Sequence, residues 1–208
     1  MKTLTKELQD KITPTQAIEL LKEGNKRFVA NLKINRNLLQ QVNETTNGQH
    51  PFAVIISCMD SRTSAELIFD QGLGDIFSIR IAGNIINEDI LGSAELGCKV
   101  VGAKVILVLG HTSCAAIKGA IDDVDLGHLY FITHKIQRCI PRVKMKAQVT
   151  SAADLADSVT QENVLQSILD LRVRSSVLAQ MEHAHEIQIV GGFYDVSTGE
   201  VTFLADQN

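Results

Sequence analysis

At 208 residues, 45% of them hydrophobic and only 3 of them proline, the chain is long enough to close one full hydrophobic core and short for two. A net charge of −4 argues against a nucleic-acid surface, and the basic stretch Arg138 to Lys146, with no interleaved aromatic residue, reads as a solvated helix face. Met1 to Asp10 has no apolar signal segment and no apolar run reaches the roughly 20 residues that span a bilayer, so the expected location is the cytoplasm.

In chain order, Thr13-Pro14 is a helix start, with a capping hydroxyl and proline at the first helical position. Ala17, Leu20, Leu21, Phe28 and Val29 keep a helical rhythm to about Asn31, so residues 1–34 form an N-terminal helical arm. A polar stretch, Asn35 to His50, leads into an apolar strand, Phe52 to Ile56. Then follow a helix over Ser64 to Gln71, a strand over Asp75 to Ile81, a helix over Asp89 to Gly102 and a strand over Lys104 to Gly110. Further helices are predicted at Ser113 to Val124, Leu129 to Lys144 and Thr160 to Met181, with a loop over Ala147 to Ser158. In the last helix Val164, Ile168, Leu171, Ser175 and Leu178 share a face; His183 and His185, at its end, face solvent. Strands Ile187 to Tyr194 and Val201 to Leu204 flank a turn whose Gly199 suits positive φ.

Alternating strands and helices imply a single α/β domain over residues 1–208. About four parallel strands and a C-terminal antiparallel strand form its central sheet, flanked by helices. If the second strand lies outside the first, the first and third become neighbours. The winding then reverses between them, and ligands bind in the crevice at such a switch point.

Two segments converge there: Cys58-Met59-Asp60-Ser61-Arg62 and His111-Thr112-Ser113-Cys114. His111 and Cys114 are three apart at a strand-to-helix turn, and Cys58 brings a third donor from the neighbouring strand end. Two thiols and an imidazole with a fourth position open form a catalytic zinc pattern, whereas structural sites are closed by four protein ligands. Asp60 could fill the fourth position itself. Alternatively Arg62 grips the Asp60 carboxylate through two hydrogen bonds and leaves the position to water. Each residue alone has a plainer reading, as a core cysteine or a surface ion pair; their joint occurrence at two matching strand ends favours the metal. Cys98 and Cys139 lack ligand spacing and read as small core hydrophobes.

The sequence from about Thr13 to Leu204 resembles the β-class carbonic anhydrases. The match rests on Cys58-x-Asp60-Ser61-Arg62, Arg80-Ile81-Ala82-Gly83-Asn84, Gly110-His111-Thr112-x-Cys114 and Gly192-Phe193-Tyr194-Asp195. The resemblance implies Zn2+ held by Cys58, His111 and Cys114, a catalytic dyad of Asp60 and Arg62, and Asp60 as a closing ligand in one subgroup. It also implies a dimer as the minimal unit, often paired into tetramers, with active sites near the subunit interface. In the subgroup whose Asp closes on zinc, a non-catalytic bicarbonate pocket uses a Trp three residues before the first Cys; here Ile55 stands there, although Arg80 and Tyr194 match the rest. In the other subgroup a Gln nine residues before that Cys and an apolar residue face substrate, positions held here by Gln49 and Phe77, with Leu96 where a Tyr is usual. Ala82 and Ala115 complete the implied substrate pocket, Ala115 replacing a Gly. The implied reaction is reversible hydration of carbon dioxide to bicarbonate and a proton by zinc-bound hydroxide. Two thiolates cancel the ion's formal charge, so activity should rise toward alkaline pH. The alternatives are hydrolysis of a related heterocumulene such as carbonyl sulfide or carbon disulfide, and a silent zinc-stabilised binding or sensing module, which Ala115 favours.

Overall fold

In the computed structural model, which describes residues 3–146 and 150–204, β1 (Ala53–Ser57), β2 (Ile76–Arg80), β3 (Val105–His111), β4 (Gln188–Tyr194) and β5 (Val201–Leu204) form one sheet. Their order is β2-β1-β3-β4-β5. The first four strands run parallel and β5 pairs antiparallel with β4, as the alternation of elements predicts. The helices are α1 (Lys6–Lys11), α2 (Pro14–Val29), α3 (Leu38–Glu44), α4 (Ala65–Ile68), α5 (Glu88–Glu95), α6 (Ala115–Ile121), α7 (Tyr130–Gln137), α8 (Ile140–Lys146), α9 (Ala152–Arg174) and α10 (Ser176–His183).

Every residue of β1 and β3 is buried, because both faces of the sheet are covered, and that is why these strands read as continuous apolar runs. Val54, Ile56, Ile106, Val108 and Ile189 pack with Ile90 and Leu91 of α5, Val164, Ile168 and Leu171 of α9 and Leu178 of α10. Ala53, Ile55, Val105, Leu107 and Leu109 point the other way, into Ala17 and Leu21 of α2, Ile68 of α4 and Phe69. A third cluster, of Cys58, Cys114, Ile117, Ile136, Cys139, Val143 and Val159, closes the carboxyl end of the sheet. At Gly110 a Cβ would come within 2.7 Å of Val164 Cγ2, so glycine there lets α9 press against the end of β3.

Several boundaries differ from expectation, each for a local reason. The polar stretch before β1 contains α3, capped by Asn37, whose side chain accepts from the Gln40 amide. α9 begins at Ala152, with Ser151 Oγ accepting from Asp154 N at 3.1 Å. Residues 152–158 are therefore helical, while 147–149 of the expected loop lie outside the described residues. The helix expected to continue to Met181 breaks at Ser175, whose backbone is extended (φ −112°, ψ 104°). Its Oγ accepts from Leu178 N at 3.1 Å and donates to Glu95 Oε1 at 2.5 Å. The expected Leu129 to Lys144 helix divides into α7 and α8 near Pro141, which has no N–H to continue the first helix. The Ser64 to Gln71 helix contracts to the four residues of α4. The expected Asp89 to Gly102 helix starts at Glu88, passes after Glu95 into a π-helical turn over Leu96–Val101, and ends at Gly102 with φ +99°. Thr13 does cap α2, reciprocally with Gln16, and Gly199 turns between β4 and β5 with φ +82°.

Asp70, just past α4, ties α2 and the segment after it to that end of the helix. Its carboxylate accepts from Arg27 Nε at 2.6 Å, Arg36 Nη1 at 2.5 Å and the Ile34 amide at 3.2 Å, and its side chain is 4% exposed. Burial alone would raise the Asp70 carboxyl; the hydrogen bonds from Arg27, Arg36 and Ile34 outweigh it and hold it below the ordinary value. A lowered folded pKa means that this group's contribution is fully present above its unfolded pKa of about 4 and fades as pH falls below it. Asp70→Asn should cost about 3 kcal/mol at pH 7, because it leaves two guanidinium groups without their anion. Urea titrations should show that cost shrinking as the pH falls below about 4.

Candidate metal centre

Cys58 follows β1 directly, His111 is the last residue of β3, and Cys114 immediately precedes α6. The β1–β3 register, Ser57 opposite Leu109, sets both strand ends on the same carboxyl edge. Two left-handed residues complete the approach. Ser113 (φ +57°) turns the chain between His111 and Cys114. Gly83 (φ +66°) brings its amide to within 3.4 Å of Cys58 Sγ, and a Cβ there would lie 2.7 Å from Ile136 Cδ1. One donor atom from each of Cys58, His111 and Cys114 lies within 4.8 Å of the others, and the two sulfurs are 3.9 Å apart. Tetrahedral Zn–S bonds of about 2.3 Å place two sulfurs about 3.8 Å apart.

The imidazole is prepared for the same role. His111 is fully buried, and its Nδ1 lies 2.8 Å from the Thr112 carbonyl oxygen. A carbonyl only accepts, so Nδ1 carries the proton and the Nε2 lone pair is free. Nε2 is buried with no hydrogen-bond partner, which is costly for a polar atom unless a cation takes the lone pair. The donor set and its spacing fit zinc.

The thiols show the same preparation. The Cys58 thiol is lowered, chiefly by its hydrogen bond with Cys114, against burial, and with help from the Asp60 and Gly83 amides. The same contact, burial and the Cys58 charge push the Cys114 thiol up. The pair loses one proton readily and shares the other, which a divalent cation would displace. By contrast, burial pushes Cys98 to about 12 and Cys139 to about 11, as befits the inert core thiols expected from their spacing.

Asp60 is held by Arg62, and its carboxylate is not among the atoms grouped within 4.8 Å. Arg62 Nε donates to Oδ1 at 2.9 Å, Nη2 to Oδ2 at 2.8 Å, and the Arg62 amide to Oδ1 at 3.0 Å. These bonds hold the Asp60 carboxyl well below the usual range despite partial burial, with the positive field of Arg62 adding to them. Arg62 Nη2 also reaches the Ser113 carbonyl at 3.4 Å, linking the two loops. Beneath the pair, Arg80 Nε donates to the Cys58 carbonyl at 3.2 Å, and Thr63 Oγ1 donates to the same oxygen at 2.8 Å.

A sequence model of the family described as "Carbonic anhydrase" matches residues 53–201. The chain belongs to the β-carbonic anhydrase family. It is 35% identical over 191 residues to a carbonic anhydrase of Mycolicibacterium smegmatis, covering 90% of this chain and 92% of that one. It is 36% identical to carbonic anhydrase 2 of Mycobacterium tuberculosis, covering 89% and 90%. The β-carbonic anhydrase CafA of Aspergillus fumigatus has a similar fold, with a TM-score of 0.74 at 24% identity over 88% of this chain and 89% of that one. The β-carbonic anhydrase CcaA matches with a TM-score of 0.69 at 26% identity, over 93% and 92%.

The family's implied substrate residues divide in space. Ala115 opens α6 beside Cys114, and Ala82 packs on the cluster containing Cys58 and Cys114. Phe77 instead pairs with Val54, four residues before Cys58 on the strand, and lies against Gly97. Gln49 precedes β1 and is exposed at its amino end, beyond a strand about 17 Å long. Neither reaches the cluster of its own chain. Ile55, at the family's Trp position, is fully buried in the core, and Arg80 is engaged with backbone carbonyls. Tyr194 is buried in the field of Arg62 and Asp60; burial first, then the nearby acids against Arg62, raises its hydroxyl. Sequence reasoning assigned no role to Thr63, Thr112 or Ser113, whose contributions are hydroxyl bonds to backbone groups and, at Ser113, a left-handed turn, with no signature in spacing.

Cys114→Ser should reduce bound metal from about one zinc per chain to nearly none, read by elemental mass spectrometry after dialysis. Cys98→Ser, far from the cluster, should leave the metal content unchanged.

Proposed function

We propose that this protein is a zinc-dependent carbonic anhydrase that interconverts carbon dioxide with bicarbonate and a proton, zinc being held by Cys58, His111 and Cys114. The observation carrying the reading is the pairing of a three-donor cluster with a carboxylate held off it by arginine. Zinc bound there would lower the pKa of coordinated water from about 15.7 toward about 7, stopping short of that value because two thiolates cancel the ion's charge, and so would supply a nucleophile as the pH rises.

The chain's own groups do the rest. Asp60, kept ionised by Arg62, would accept a hydrogen bond from the attacking oxygen and so leave a lone pair of that oxygen aimed at the carbon. Because Asp60 stays a base of low affinity, it orients this proton without removing it. Arg62 fixes the carboxylate in one plane and keeps it from closing on the metal. The methyls of Ala82 and Ala115 keep the neighbouring surface apolar, as an uncharged linear substrate requires. The Ala115 amide can donate to a product oxygen. Engagement of Asp60 by Arg62, outside the donor group, weighs against the silent module, which needs that residue on the metal.

Gln49 and Phe77 fit this reading as contributors to the site of a second copy. β2, which carries Phe77, is an edge strand, and Leu96 and Val100 on the neighbouring turn are 55% and 74% exposed. Exposed apolar side chains at a sheet edge suit a homo-oligomer interface. Among the described residues no helix is long and apolar enough to cross a membrane, and the four free cysteines suit a reducing compartment such as the cytoplasm.

Stopped-flow hydration of carbon dioxide with a pH indicator tests the reading. The zinc-loaded wild type should be active, and Arg62→Ala should lower kcat/KM by about 100-fold with zinc content unchanged. Full activity in that variant would remove the role given to the pair, and a zinc-loaded wild type with no hydratase activity would remove the function.

A further inference from the structure

β3 and β4 run together to a last pair, His111 opposite Tyr194, and then separate. Thr112 bridges the gap they leave. Its amide donates to the Tyr194 carbonyl at 3.0 Å, one bond beyond the ladder. Its hydroxyl oxygen accepts from the Val196 amide at 3.0 Å, replacing the backbone acceptor that the diverging strands no longer supply. Its carbonyl accepts from His111 Nδ1 at 2.8 Å. One residue is thus pinned at two points to the β4–β5 hairpin and presents its third polar group to the imidazole.

We infer that Thr112 is a positioning residue of the metal centre: its hydroxyl, bonded to the Val196 amide, fixes the carbonyl that sets the tautomer and plane of His111. This rests on the reading that Cys58, His111 and Cys114 hold zinc. The carbonyl that meets the imidazole belongs to the Thr112–Ser113 peptide. With both the Thr112 amide and its hydroxyl anchored, the direction of its C=O has little freedom. The ring, hydrogen-bonded to that C=O, presents Nε2 to the two sulfurs without losing entropy on binding. Remove the hydroxyl and the Val196 amide loses its acceptor. The loop then keeps one anchor, and the imidazole must be ordered by the metal itself. Groups that orient metal ligands in this way typically contribute 10- to 100-fold in metal affinity.

The test uses the full-length chain and Zn2+ in competition with a chromophoric chelator, with visible absorption of the Co2+-substituted protein as a second readout. Thr112→Val keeps the branched shape and removes the hydroxyl; Thr112→Ser restores an oxygen at the same place. Thr112→Val should bind Zn2+ about 10- to 100-fold more weakly and show altered Co2+ d–d bands, while Thr112→Ser stays within about threefold of wild type. Asn25→Ala controls for general loosening. Asn25, on α2, holds the same hairpin by other bonds, donating to the Gly199 carbonyl at 2.9 Å and the Ile68 carbonyl at 3.1 Å and accepting from the Val201 amide at 2.9 Å. Unchanged affinity in Thr112→Val would overturn the inference. So would an equal loss in Asn25→Ala, or a Thr112→Ser protein no better than Thr112→Val. A wild type that takes up no Zn2+ would remove the metal centre itself, and is distinguishable because every variant would then behave alike.

Discussion

The pairing of β1 with β3 is the constraint on which the site depends. Cys58 and Cys114 are 56 residues apart in sequence, and only the register that sets Ser57 opposite Leu109 brings their sulfurs to 3.9 Å. A slip of one residue would move every side chain of β1 to the opposite face of the sheet. The burial of Val54 and Ile56 on one face, and of Ala53 and Ile55 on the other, resists that slip. The core therefore specifies the metal centre indirectly: packing on both faces of two strands fixes where their ends lie. The strand order adds the crevice, because β2 and β3 leave β1 in opposite directions and their loops diverge at its carboxyl end.

On that frame the chemistry is divided between two loops that monitor each other. The loop after β1 supplies one thiol and the Asp60–Arg62 pair; the loop after β3 supplies the imidazole and second thiol. Arg62 spans them, gripping Asp60 on one side and touching the Ser113 carbonyl on the other. The residue that sets the state of the carboxylate thus contacts the left-handed turn that places Cys114. Release of Asp60 would cost Arg62 three hydrogen bonds, two from the guanidinium and one from its amide, in a setting where its side chain is about half exposed and water can take their place.

The sequence was most informative where chemistry is local. Cys58, His111 and Cys114 announce themselves by residue type directly after apolar runs, and the sheet order follows once the two motifs must meet. Helix boundaries were less legible, because helical periodicity says which face is buried without saying whether the backbone is continuous. Val164, Ile168, Leu171 and Leu178 do share the buried side, yet Ser175 interrupts the chain between them to cap a second helix. The absent amide of Pro141 was a visible signal for dividing the other long helix. Gln49 and Phe77 were legible as types of residue, but their distance from the cluster of their own chain was not, since register and strand length carry that information. Thr63 and Thr112 were silent for another reason: their hydroxyls bond backbone groups, and which backbone group lies within reach is decided by the fold.

The central claim is that the metal's shell contains two sulfurs and one imidazole, with Asp60 outside it. Zinc K-edge X-ray absorption on the loaded protein at pH 8, compared with Asp60→Asn, tests this most directly. The account predicts two sulfur scatterers and two nitrogen or oxygen scatterers in both proteins, with superimposable first shells. A wild-type shell that loses or lengthens an oxygen contribution on Asp60→Asn would place the carboxylate on the metal and contradict it.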